Sequence, residues 1–180
     1  GPHVLCSDPT GNKVYCADAD WRVTVIDGAT RQPVETIPVT HSRGDLCYSG
    51  QERKLYCGSA DDSFVQVIDC VGDSVLAQVP VSYGPGVLCY NPRLNRVYCA
   101  HRDRDEVTVI DCTADTVVGA IWVHGVEPWD ICYDSATNCV YTANKVSSSV
   151  SVIDCVGDTL ARLVPVGQGP VAIVAGPPGK

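Results

Sequence analysis

Apolar residues fall in short runs along this chain, and each run is closed by turn-forming residues. Val87-Leu88-Cys89-Tyr90 is followed by the turn Asn91-Pro92-Arg93-Leu94-Asn95, and Val97-Tyr98-Cys99-Ala100 by the charged turn from Arg102 to Glu106. Val107 to Ile110 is closed by Asp111-Cys112-Thr113-Ala114-Asp115, and a fourth run extends from Thr116 to Val123. β-Branched residues dominate the runs, while Pro and Gly stay at their boundaries. Such runs are strands. No apolar stripe at helical spacing persists for the roughly ten residues that a helix needs.

The four-run unit repeats. Val14-Tyr15-Cys16-Ala17 recurs as Leu55-Tyr56-Cys57-Gly58, Val97-Tyr98-Cys99-Ala100 and Val140-Tyr141-Thr142-Ala143. Val23-Thr24-Val25-Ile26-Asp27 recurs at Val65–Asp69, Val107–Asp111 and Val150–Asp154. The first-strand cysteines Cys6, Cys47, Cys89 and Cys132 follow one another at intervals of 41, 42 and 43 residues. Four short antiparallel strands in a unit of this length predict an all-β β-propeller, because a sheet apolar on both faces must bury itself between two neighbours. The expected organisation is one propeller region over 1–180, with blades at about 3–40, 44–82, 86–123 and 129–166. Val171-Ala172-Ile173-Val174-Ala175 matches a fifth first strand with no second, third or fourth strand behind it.

Pro92 through Asp111, with Asn-Arg-Val-Tyr and then Val-Thr-Val-Ile-Asp, resembles the YVTN-type β-propeller repeat, and the resemblance extends over residues 3–175. This chain has Cys at Cys16, Cys57 and Cys99, where that repeat has Val. The resemblance implies a propeller usually closed by seven blades, in proteins that are often exported; a WD40-like repeat of extracellular or cell-surface location is therefore expected. It says little of function, since propellers host unrelated activities. Four blades alone would expose two apolar blade faces. Two chains about a two-fold axis would close an eight-bladed ring, and that homodimer is the expected partner state; a self-closed four-bladed monomer is the alternative.

Composition narrows the partners. The 180 residues carry a formal net charge of −8, and Arg93, Arg96, Arg102 and Arg104 are interleaved with Asp103, Asp105 and Glu106. Without a basic face, nucleic acid is not an expected ligand. No apolar run approaches the roughly 20 residues of a spanning helix, so membrane insertion is not expected. Methionine is absent and the chain opens on Gly1-Pro2, which predicts a processed or excised piece.

Eleven cysteines are the most tempting chemical signal. They can be read as small buried hydrophobes, as hairpin disulfides (Cys6/Cys16, Cys47/Cys57, Cys89/Cys99), or as ligands of a metal or haem. Ligand spacing is missing: there is no C-x-x-C and no paired His, so neither a metal nor a cofactor is expected. Cys132 stands opposite Thr142 in the fourth repeat, and the total is odd, which favours mostly free thiols.

Candidate ligand-binding residues lie in the loops joining one blade's outer strand to the next blade's inner strand: His41, Arg43, Tyr83, His124, Glu127, Trp129 and Gln168. There a His with a carboxylate could exchange protons, and Trp129 with Tyr83 could stack on a planar or sugar-like ligand. Asp18, Asp20, Asp61, Asp62, Asp103 and Asp105 read as turn residues rather than calcium ligands. Asp27, Asp69, Asp111 and Asp154, like the four repeated tyrosines, fill one slot in every repeat and predict a blade-stabilising bond to a turn. No catalytic residue is assigned. The expected function is a non-enzymatic surface for a protein or glycan; the alternative is a lactonase-like enzyme or electron-transfer domain with a site at the channel mouth. His3, His41, His101 and His124 are scattered among the repeats, which speaks against the latter.

Overall fold

The computed structural model describes residues 1–40 and 44–176. Among the described residues, sixteen strands form four separate four-stranded sheets, each a simple antiparallel meander. The first holds β1 (Pro2–Asp8), β2 (Lys13–Asp18), β3 (Arg22–Asp27) and β4 (Pro33–Pro38); the second β5 (Leu46–Ser49), β6 (Lys54–Cys57), β7 (Phe64–Asp69) and β8 (Ser74–Pro80). The third holds β9 (Pro85–Asn91), β10 (Arg96–His101), β11 (Glu106–Asp111) and β12 (Thr116–Trp122); the fourth β13 (Pro128–Asp134), β14 (Cys139–Asn144), β15 (Ser149–Asp154) and β16 (Thr159–Pro165). The all-β expectation and its four blades hold.

The repetition reaches the backbone. Asn12, Arg53, Asn95 and Asn138 occupy one turn position in the four blades, with φ of 51°, 52°, 53° and 55°. Arg31, Asp73, Asp115 and Asp158 share another, at 60°, 51°, 52° and 49°. Asn and Asp tolerate this left-handed region better than other side-chain-bearing residues, which explains most of those choices. Each third-strand Asp caps the turn before that position: Asp69 accepts from the amides of Val71 and Gly72, and Asp111 from those of Thr113 and Ala114. In every blade the register between third and fourth strand slips once, at Val25/Ile26, Val67/Ile68, Val109/Ile110 and Val152/Ile153. The bulge twists the outer edge strand, which is the strand most exposed to unwanted pairing.

Blades stack through three apolar layers. Tyr15, Ala17, Val23 and Val25 of the first blade meet Leu55, Ile68 and Cys70 of the second. Tyr56, Val65 and Val67 meet Val97, Ile110 and Cys112, and Tyr98, Val107 and Val109 meet Val140, Ile153 and Cys155. A polar latch crosses each layer. Tyr15 donates to Asp73 at 2.9 Å, and Lys13 pairs with the same carboxylate at 2.6 Å. Tyr56 and Lys54 repeat this on Asp115, at 2.7 and 2.8 Å. Tyr98 and Arg96 repeat it on Asp158, at 2.6 and 2.5 Å. The recurrent tyrosine thus does bind a turn, but the turn belongs to the next blade. Burial and the nearby carboxylates push all three phenols well above the ordinary tyrosine range.

The predicted fifth strand over Val171–Ala175 is corrected in one respect: the segment forms no strand. A strand needs a laterally paired neighbour, and among the described residues none lies beside it. Its backbone is held instead by a carboxylate, the Ile173 N–H donating to Asp130 Oδ2 at 2.8 Å. That contact spans 43 residues, as does the one from the Leu88 N–H to Asp45 Oδ2 at 3.1 Å. Residues 171–175 therefore occupy the position of a fifth inner strand without being paired as one.

All eleven cysteines are free thiols. The register shows why hairpin bridges do not form. Cys6 stands opposite Tyr15 and Cys16 opposite Leu5, so the two thiols point to opposite faces of the blade. The same offset separates Cys47 from Cys57 and Cys89 from Cys99. Burial raises the thiols, Cys6 and Cys112 to about 11 and Cys57 and Cys70 to about 12.

Candidate functional site at the channel mouth

The inner strands of all blades begin around one cavity of about 360 Å³. Its wall takes two neighbouring positions from each successive blade: His3 and Val4, Gly44 and Asp45, Gly86 and Val87, Trp129 and Asp130, then Val171 of the unpaired segment. Arg102 completes the wall. One frame thus carries a different side chain at each place. At Gly86 a Cβ would lie 3.2–3.3 Å from the Arg102 side chain, which passes over that backbone and would have to shift by a few tenths of an ångström.

Arg102 and Lys145 fill equivalent positions just beyond the second strands of blades three and four, where blades one and two have Ala19 and Ala60. Both cations lie over the ring of Trp129, Arg102 at 4.4 Å and Lys145 at 3.7 Å from its centre. Each such contact is worth about 0.5–2 kcal/mol, depending on desolvation. Within the cavity wall Arg102 Nε is buried without a hydrogen-bond partner.

Asp45 and Asp130 are anchored carboxylates. Asp45 accepts the N–H of Leu46 at 2.8 Å and of Leu88 at 3.1 Å; Asp130 accepts those of Ile131 at 2.9 Å and Ile173 at 2.8 Å. Burial raises the Asp45 carboxyl; the two amides pull it down, Asp130 opposes its ionisation and Arg102 favours it. Behind the mouth, His101 is buried, with Nε2 2.8 Å from Thr108 Oγ1 and Nδ1 3.3 Å from the Tyr83 carbonyl oxygen. Desolvation lowers its pKa.

Of the seven residues expected from sequence, Trp129 lines the cavity. Glu127 is half-buried nearby, and its carbonyl accepts the Lys145 N–H at 3.0 Å. Tyr83, His124 and Gln168 are exposed and do not reach the cavity; the His124 ring meets Trp122 edge-on at 6.4 Å. His41 and Arg43 lie outside the described residues. Trp129 and Tyr83 do not share the cavity wall, and the Trp129 ring carries two cations. Asp45, Asp130, Arg102 and Lys145 escaped notice as site residues, although a signal existed: each puts a charge where the other repeats have Val or Ala.

The solved structures this chain matches have the same architecture. It is similar to a hydrazine synthase chain from Kuenenia stuttgartiensis, with a TM-score of 0.83 and 18% identity over 91% of this chain. It is also similar to a protein named U3-55K, with a TM-score of 0.78 and 15% identity over 93% of this chain. The fold is a β-propeller. This propeller chain spans about half of each neighbour, 49% and 53%. At such identity the likeness is one of fold alone, and the two names describe unlike proteins. No protein-family model and no curated protein sequence matches the chain.

Proposed function

We propose that this propeller is a non-enzymatic binding and scaffolding module of the YVTN type, which closes its ring with a second copy and presents the channel mouth to a protein or glycan partner. The observation that carries the reading is the cavity wall, where one repeated frame offers Asp45, Arg102, Trp129 and Asp130 from different blades. A constant frame with variable display suits recognition. The charged groups there are committed to backbone amides and to the Trp129 ring, and they form no base–nucleophile pair. Self-association is supported by the two outermost blades. Leu5 on the free face of the first is 65% exposed, and Cys132 and Tyr141 on the free face of the fourth border a second cleft. Export to the cell exterior or surface accords with the YVTN resemblance.

Light scattering tests ring closure: about twice the chain mass of 19.2 kDa is expected, and a single-chain mass at all concentrations would exclude it. For the mouth, Trp129 emission is followed in a Trp21→Phe, Trp122→Phe background while glycans and acidic peptides are titrated. A saturable change that Arg102→Gln removes supports the site.

A further inference from the structure

Two cations share one ring at the channel mouth, and neither is neutralised by a neighbouring carboxylate. Arg102 and Lys145 lie 4.4 and 3.7 Å from the Trp129 ring centre, which caps the separation of their charges at about 8 Å. That is no more than the screening length of physiological salt, so the two repel. Among the described residues neither side chain forms an ion pair or donates a hydrogen bond. An aromatic face holds a cation through its charge and leaves the N–H donors unused, whereas a carboxylate partner would consume them. Arg102 Nε is the sharper case, because it is buried at the cavity wall without a partner.

Acceptors stand on either side. The Arg102 stem runs over Gly86 of blade three, and the wall carries Asp45 of blade two and Asp130 of blade four. Each of their four carboxylate oxygens accepts one backbone N–H. A carboxylate oxygen has room for a second hydrogen bond. All five side chains belong to blades two, three and four.

We propose that the mouth takes an acidic sugar unit of a glycan, its carboxylate set between Arg102 and Lys145 and its hydroxyls donating to Asp45 and Asp130. The assignment rests on the mouth being the binding face proposed above, and it adds the class of ligand. A carboxylate presents two oxygens in one plane, which is what a guanidinium edge pairs with, and its single charge relieves the repulsion of the two cations. A phosphate would bring about two negative charges beside Asp45 and Asp130 and is disfavoured. Neighbouring hydroxyls supply the donors that the two aspartates accept. The side chains of an acidic peptide bring the carboxylate without those donors, and a neutral sugar leaves Arg102 Nε and the paired cations unanswered. The Trp129 ring already carries both cations, so its part is to position them rather than to stack on the sugar. A cavity of about 360 Å³ lies at the small end of ligand sites, which suits one sugar unit.

Calorimetric titration of the full chain with trigalacturonate, its fully methyl-esterified form and triglutamate is the test. Saturable binding of trigalacturonate is expected, at least tenfold tighter than that of the ester or of triglutamate. Arg102→Gln and Lys145→Gln should each weaken it at least tenfold while the melting temperature stays native. The ester comparison needs no variant, so the outcome does not depend on either variant folding. Equal affinity for acid and ester overturns the acidic sugar and leaves the mouth standing as a glycan site. Tighter binding of triglutamate overturns it in favour of a peptide. Trigalacturonate binding that neither folded variant weakens also overturns it, because the sugar then sits elsewhere. If none of the three binds, the acidic sugar falls, and the mouth as a binding face for glycan or peptide falls with it.

Discussion

Tyr56→Phe isolates one latch from the packing around it. The phenyl ring stays in a fully buried position between blades two and three, and only the hydroxyl is lost, with its 2.7 Å bond to Asp115. Asp115 also pairs with Lys54 at 2.8 Å, and the two side chains are only 17% and 13% exposed, so neither is a freely solvated surface charge. Exposed ion pairs contribute about 0–1 kcal/mol, whereas a hydrogen bond to a charged group contributes about 1.5–3 kcal/mol. The expected loss is about 2 kcal/mol, which for a chain of this size lowers the melting temperature by roughly 4–8 °C. Urea titration followed by far-ultraviolet circular dichroism measures it, and a cycle with Asp115→Ala gives the coupling. The control is Tyr141→Phe in blade four, whose hydroxyl has Thr137 at 3.5 Å and no aspartate. It should cost no more than about 0.5 kcal/mol, in the range of an ordinary surface change. Equal losses for Tyr56→Phe and Tyr141→Phe would refute the latch, because the bond to Asp115 would then add nothing beyond the loss of a hydroxyl.

Gly58→Ala brings blade two into line with Ala17, Ala100 and Ala143 at the equivalent position, yet it should destabilise by about 2 kcal/mol or more, because a Cβ there would stand 2.5 Å from the Pro85 carbonyl oxygen; an unchanged urea midpoint would contradict this. His101 is buried with a lowered pKa, so its contribution is present above the unfolded value of 6.5 and is lost as pH falls from there through the folded value. The urea midpoint should therefore drop between pH 7.5 and 5.5, and His101→Gln should flatten that drop. In a thiol titration, native protein should react first at the half-buried Cys6, Cys16, Cys132 and Cys139, and all eleven thiols should appear on denaturation; a shortfall of even one pair would reveal a disulfide.

The blades were legible in the sequence because the second and third strands, buried on both faces in the two middle blades, carry apolar runs that repeat together with their closing turns. The mouth was less so. Trp129 was visible as a large aromatic at the start of an inner strand, but its neighbours Arg102 and Lys145 come from two different blades, and no spacing along the chain tells that they meet on one ring. Tyr83 and His124 misled because a loop next to an inner strand can still point away from the axis. Residues 171–175 were recognised by sequence as an inner strand and do take that position; their lack of pairing depends on neighbours that a linear pattern does not contain.

Each latch has a donor side and an acceptor side, and both are encoded in one unit of about 42 residues. Copying that unit in tandem therefore creates a working joint at once: the tyrosine of one copy finds the aspartate of the next with no further substitution. Lengthening such an array asks nothing new of the joint, since each added copy brings both halves with it. Arg31 and Cys139 hold the aspartate and cation positions outside the three joints described, and a change at either leaves those three undisturbed.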